Sequence, residues 1–108
     1  LHVDDLASAC LFLLENYDGD SHINVGTGVD LSIKELAETI QSIVNPSAVI
    51  NWDTSKPDGT PRKLLDISRL RALGWEPSVD LSDGLARTYE WFLSTESAGE
   101  QLRGIGSD

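Results

Sequence analysis

The chain has 108 residues, 40% hydrophobic and 24% charged, enough for one small domain and too few for a multi-domain machine. Eight Lys and Arg stand against eighteen Asp and Glu, a net charge of −10, so a general binder of nucleic acid or of an anionic membrane would work against its own field. An anionic ligand therefore needs a local exception. No run approaches the roughly 20 apolar residues of a membrane span and no basic-then-apolar leader opens the sequence, so a soluble, cytoplasmic protein is expected. Cys10 stands alone and no Cys/His spacing suits zinc, which fits a reducing compartment and predicts no metal.

Leu1-His2-Val3 reads as a scrap of strand that runs into Asp4-Asp5 without a turn, as if the chain began inside a fold. From Asp4 to about Asn16 the spacing of Leu6, Ala9, Cys10, Leu13 and Leu14 predicts a helix, with Asp4 or Asp5 at its cap. Ala7, Leu11 and Phe12 widen its apolar stripe beyond what a surface helix needs, which predicts burial on two sides. His22 to Val25 alternates like a short strand and is stopped by Gly26-Thr27-Gly28. Ser32-Ile33-Lys34-Glu35 is a capping box flanked by Leu31 and Leu36, and Ile33 to Val44 keeps helical period until Asn45-Pro46. Ala48 to Trp52 reads as a further strand.

Residues 53–63 carry no period and hold Pro57, Gly59 and Pro61, the mark of a shaped loop. Asp66 can cap a short helix ending at Leu73, with Gly74 left-handed behind it. A last helix, capped by Asp80 or Ser82, carries Leu81, Leu85, Tyr89 and Phe92 on one face. Residues 95–108 turn to Ser, Glu and Gly and are expected to form a disordered tail after a structured domain of residues 1–94.

Few residues point to chemistry. Gly26-Thr27-Gly28 lies between strand and helix like a dinucleotide-binding turn, but Leu31 takes the third glycine position and no acidic residue ends a second strand, so an ordinary glycine turn is the better reading. His2 and His22 sit beside strand-type residues and read as structural, and Cys10 as a small buried hydrophobe. Neither Tyr17 nor Tyr89 has a lysine one helical turn on, and Asp4-Asp5 is explained by capping and the helix dipole. Ser32 and Ser82 follow Asp and Leu in an order that does not match a carrier protein's Asp-Ser-Leu attachment site. The exception is Lys56-Pro57-Asp58-Gly59-Thr60-Pro61-Arg62-Lys63, which holds three of the eight basic residues in a path fixed by two prolines. Spacing alone leaves it equally an anion-binding loop, through Arg62 and Lys63 with Asp58 accepting from a hydroxyl or amine, or a solvated, salt-bridged connection.

The run Lys56 to Asp66 (KPDGTPRKLLD), with Arg69-Leu70 and Leu73-Gly74-Trp75 behind it, resembles the C-terminal part of the GDP-L-fucose synthases, extended members of the short-chain dehydrogenase/reductase family. LHVDDLA, SHINVGTGVDLSIKELAETI and GLARTYEWF carry the same similarity over nearly all of residues 1–94. The resemblance implies an α/β fold: the last part of a Rossmann-type core with strands near 1–3, 22–25 and 48–52, plus the small substrate-binding lobe. It implies an NADP-dependent 3,5-epimerase and 4-reductase acting on GDP-4-keto-6-deoxy-mannose, an oxidoreductase and isomerase of nucleotide-sugar metabolism. Asp58 and Lys63 would lie at the nucleotide sugar, Lys63 near the diphosphate, with Arg62 added from its charge and proximity.

The family's NADP loop, its catalytic Ser and Tyr-x-x-x-Lys set and its epimerisation Cys and His have no counterpart in these 108 residues. The chain alone is therefore expected to be catalytically inactive, to bind no cofactor, and to expose apolar surface that a missing N-terminal Rossmann domain covers. Self-association into a homo-oligomer is the expected outlet. A non-enzymatic nucleotide-sugar-binding or interaction module, or a piece of a related nucleotide-sugar epimerase/dehydratase, is the alternative.

Overall fold

A computed structural model describes residues 1–59, 61 and 64–97. Four helices follow one another: α1 (Val3–Asn16), α2 (Ile33–Val44), α3 (Ser68–Leu73) and α4 (Leu81–Ser97). No strand forms among the described residues, so the strands expected at 1–3, 22–25 and 48–52 are absent.

Each absence has a local cause. Val3 is already helical, and His2 caps α1 with Nδ1 accepting from the Asp4 amide at 3.1 Å, a role expected of Asp4 or Asp5. Along 22–25, Arg69 Nη1 donates to the His22 carbonyl at 2.7 Å in place of a ladder partner, and the Asn24 side chain donates through Nδ2 to the Asp66 carbonyl at 3.2 Å. A strand needs a paired neighbour for its backbone groups, and among the described residues neither 22–25 nor 48–52 has one.

Asp5 does something other than cap. The residue is 3% exposed, and its carboxylate accepts from the Ser78 amide at 3.1 Å to each oxygen, from Ser78 Oγ at 2.9 Å and from the Val79 amide at 2.9 Å. The first turn of α1 is thereby tied to the segment that leads into α4. These donors, the Val79 amide foremost and then those of Ser78, hold the Asp5 carboxyl below the usual carboxylate range, against a desolvation cost that acts the other way.

Beyond that tie lies a small core of Ala9 from α1, Leu70 from α3 and Trp75, with Phe12, Leu13, Ile23 and Val25 half-buried against it. Trp75 Nε1 donates to Ser8 Oγ at 3.2 Å, which orients the indole while its rings fill the core. Gly74 ends α3 in the left-handed conformation at φ +110°, as its position after Leu73 leads one to expect. The Asp66 carboxylate accepts from the Ser68 amide at 2.9 Å, so Asp66 steadies the start of α3 from one residue outside its cap, Ile67.

The capping box forms as read. Ser32 Oγ accepts from the Glu35 amide at 3.1 Å and Glu35 Oε2 accepts from the Ser32 amide at 2.7 Å. The helix it starts, α2, packs against α4. Asp80 Oδ1 accepts from the Asp83 amide at 2.7 Å at the start of α4, which runs to Ser97 with Thr95 buried. Residues 95–97 therefore belong to the helix and not to the expected tail, whose remainder from 98 onward lies outside the described residues.

The fold leaves much apolar surface uncovered. Val3, Leu11, Leu14, Val29, Ile33, Val49 and Trp91 are all more than half exposed. Cys10, expected in the apolar interior, is exposed, because α1 is apolar on both sides and Cys10 lies on the side away from Ala9. Leu70 is fully buried, so Leu70→Ala should cost about 2–5 kcal/mol of unfolding free energy, whereas Leu14→Ala at an 83% exposed site should change it by less than about 0.5 kcal/mol. Urea titration of the two variants reads the difference.

Candidate functional site

The basic loop expected to carry the chemistry leaves the body of the protein after Trp52. Asp53 accepts at Oδ1 from the Ser55 amide at 3.0 Å and from the Ser55 hydroxyl, a local turn that starts the loop. Both bonds, the hydroxyl's first, hold the Asp53 carboxyl below the usual range. Lys56 and Asp58 are exposed, and a Cβ added at Gly59 would meet nothing within 4 Å among the described residues. Of the three residues singled out, Asp58 is thus placed on an open loop, while Arg62 and Lys63 lie outside the described residues.

The loop leads out through Leu65-Asp66-Ile67. Here the glycine turn 26–28 comes into contact with the loop's exit: a Cβ added at Gly26 would lie 3.6 Å from both Leu65 Cδ1 and Ile67 Cγ2. Gly28 sits at φ +72°, where a Cβ would meet Ile67 Cδ1 at 2.9 Å and Arg71 Nη2 at 3.1 Å. The space directly over Gly28 is filled by Ile67 and Arg71, so the turn is closely packed. Its job is to let a loop hinge pack close.

A pocket of about 670 Å³ opens at that hinge, lined by Gly28, Leu64, Asp66, Ser68, Arg71 and Ala72 among others. Arg71 Nη2 donates to the Thr27 carbonyl at 3.4 Å and its Nε lies 3.9 Å from Glu76 Oε1, so its charge is shared between the pocket and the end of α3. Arg71 was missed in the sequence because α3 is too short to show which side of it faces a pocket. Asp66, whose carboxyl is held below the usual range chiefly by the Ser68 amide, brings the opposite charge to the rim. The arrangement can seat a polar ligand, with Arg71 as its positive group and Asp66 and Ser68 as its acceptors. Among the described residues no group of His, Cys, Asp and Glu could hold a metal ion, and no helix is long and apolar enough to cross a membrane.

No family model matches the chain. Individual proteins do. It is 58% identical over 93 residues to a putative GDP-L-fucose synthase 2 of Arabidopsis thaliana, covering 86% of this chain and 28% of that protein. With the GDP-L-fucose synthase of Escherichia coli (strain K12) it shares 50% identity over 105 residues, covering 89% of this chain and 33% of that one. The chain therefore spans about a third or less of the length of these relatives.

Among solved structures it resembles a GDP-6-OMe-4-keto-L-xylo-heptose reductase from C. jejuni, with a TM-score of 0.78 and 38% identity over 88% of this chain and 30% of that one. A GDP-mannoheptose C4 reductase from Campylobacter jejuni with NADP bound gives a TM-score of 0.74 and 37% identity, over 86% of this chain and 30% of that one.

A four-helix piece without strands that overlays these reductases so closely has the fold of the C-terminal portion of an extended short-chain dehydrogenase/reductase. Within that class it corresponds to the C-terminal ~30% of the GDP-L-fucose synthases. Gly28→Ala combines a left-handed φ with a 2.9 Å clash, so it should destabilise the chain by more than about 1 kcal/mol and raise amide exchange at 65–67, measured by urea titration and hydrogen exchange.

Proposed function

We propose that the chain supplies nucleotide-sugar contacts to an NADP-dependent GDP-4-keto-6-deoxy-mannose epimerase/reductase that makes GDP-L-fucose, and that the 108 residues alone are catalytically silent. The observation that carries this is the 58% identity to a GDP-L-fucose synthase, in a chain whose basic residues concentrate in one loop against a net charge of −10. Hydride and proton transfer belong to groups outside these residues, the NADP-binding portion included. The whole enzyme would work in the cytoplasm.

In this reading Lys63 meets the diphosphate as a point charge, Arg62 reaches the same oxygens with its planar fork, and Asp58 accepts from a hydroxyl or amine of the sugar or base. Pro57 and Pro61 limit the loop's unfolded freedom and so the entropy lost on binding. A related GDP-sugar enzyme is the second reading. It is favoured by the likeness to two heptose reductases and by 34% identity to a GDP-L-colitose synthase of Yersinia pseudotuberculosis, relatives whose names share GDP and differ in the sugar.

Titrating the chain with GDP tests the shared part. A charge-assisted hydrogen bond contributes about 1.5–3 kcal/mol, so Lys63→Ala should weaken GDP binding at least about 10-fold. Asp58→Ala should have a larger effect on the GDP-sugar than on GDP. Equal GDP affinity of the native chain and Lys63→Ala would remove the loop from the binding account.

A further inference from the structure

The pocket at the exit of the basic loop is balanced in charge. Among the described residues that line it, Arg71 carries the positive charge and Asp66 the negative one, in a chain of net charge −10. A cation or an anion entering it meets one of the two as a like charge, so the lining favours a neutral ligand with donors for Asp66 and acceptors for Arg71. Leu64 and Leu65, 43% and 48% exposed, and Ala72 give it apolar surface as well. A flat polar ring suits both.

The two charged groups are held in place without being used up. Arg71 donates to the Thr27 carbonyl at 3.4 Å and lies 3.9 Å from Glu76, over a Gly28 whose Cβ would meet Nη2 at 3.1 Å, and a guanidinium has further N–H groups to offer. Asp66 accepts from the amide and hydroxyl of Ser68, which keep it ionised and therefore purely an acceptor, with lone pairs to spare.

We infer that this pocket reads the base of a guanine nucleotide: Asp66 accepts from N1–H and the 2-amino group, Arg71 donates to O6 and N7, and the ring lies against the leucines. The inference rests on the GDP reading proposed above and deepens it, since Leu64 follows directly on Lys63, the residue set against the diphosphate. Guanine is the common base that offers two neighbouring donors to a carboxylate beside two neighbouring acceptors to a guanidinium fork. Adenine would set its ring N1, an acceptor, against the Asp66 carboxylate. Uracil would bring one donor flanked by two carbonyls, and cytosine an amino group beside an acceptor.

Calorimetric titration of the chain with GDP, inosine 5′-diphosphate and ADP tests this. GDP should bind at least about 10-fold tighter than ADP, with inosine diphosphate between them because it lacks only the 2-amino group. Asp66→Asn keeps an oxygen for the Ser68 amide but puts a donor where guanine needs an acceptor, so it should abolish the preference for GDP over ADP. Arg71→Lys keeps the charge without the fork and should reduce that preference. Far-UV circular dichroism checks that both variants are folded, and the comparison of the three nucleotides on the native chain needs no variant at all. Equal affinity of the native chain for GDP, inosine diphosphate and ADP overturns the inference. So does binding of none of them, or a preference that survives in a folded Asp66→Asn. Lys63→Ala separates this inference from the loop's role, because it should weaken all three nucleotides alike and leave their order intact. Equal affinities that all fall with Lys63→Ala would refute the pocket and leave the loop, whereas an intact order with no response to Lys63→Ala would refute the loop and leave the pocket.

Discussion

One buried carboxylate decides how this small protein holds together. Asp5 belongs to the first turn of α1, yet every hydrogen bond recorded for its oxygens comes from Ser78 and Val79, more than seventy residues later. The pairing fixes where the chain emerging from α3 and Trp75 must turn before α4 begins. It brings α1 over the core at the same time, because Ser8 and Ala9, one turn on, meet Trp75 and Leu70. A charge this secluded is tolerated because backbone and hydroxyl donors replace the water it gave up. An apolar residue there would leave the Ser78 and Val79 amides without those acceptors.

The remainder is held by short-range devices around that tie. Arg69 reaches back to the His22 carbonyl and donates to the Tyr17 hydroxyl at 3.2 Å, so α3 is fastened to the segment leaving α1. Gly28 lets Ile67 and Arg71 come close, which firms the exit of the basic loop. A core this small stabilises one side of the assembly only, and the outer side of α1 is left as apolar as the inner.

What could be read in the residues was what neighbours in sequence decide. The capping box at Ser32 and Glu35, the left-handed Gly74, the Asp80 carboxylate before α4 and the glycine turn at 26–28 all formed, since each is settled within four or five residues. The double-sided apolar pattern of the first helix was also legible, and the exposed stripe is its consequence. The strands were not, because Leu1 to Val3, His22 to Val25 and Ala48 to Trp52 have strand-type composition but need a partner strand to become one. His2 displaced Asp4 and Asp5 as cap of α1, and Asp5 was freed for a contact that no local pattern announces. At the candidate site the loop was found by its charge and prolines; Arg71 was not, since its place depends on how α3 lies against Thr27.

If Asp5 is the tie, its protonation must be visible at its partners. Its folded pKa is depressed, so the contribution is present in full above the unfolded value of about 3.9 and is lost as the pH falls through the lower folded value. Following the Ser78 and Val79 amide resonances by NMR from pH 6 into acid measures this directly. The two amides are expected to shift together with one apparent pKa below that of an ordinary aspartate, and a helix signal from α1 should be lost with them. Amides that titrate at the ordinary value, or that do not respond while α1 stays folded, would contradict the account.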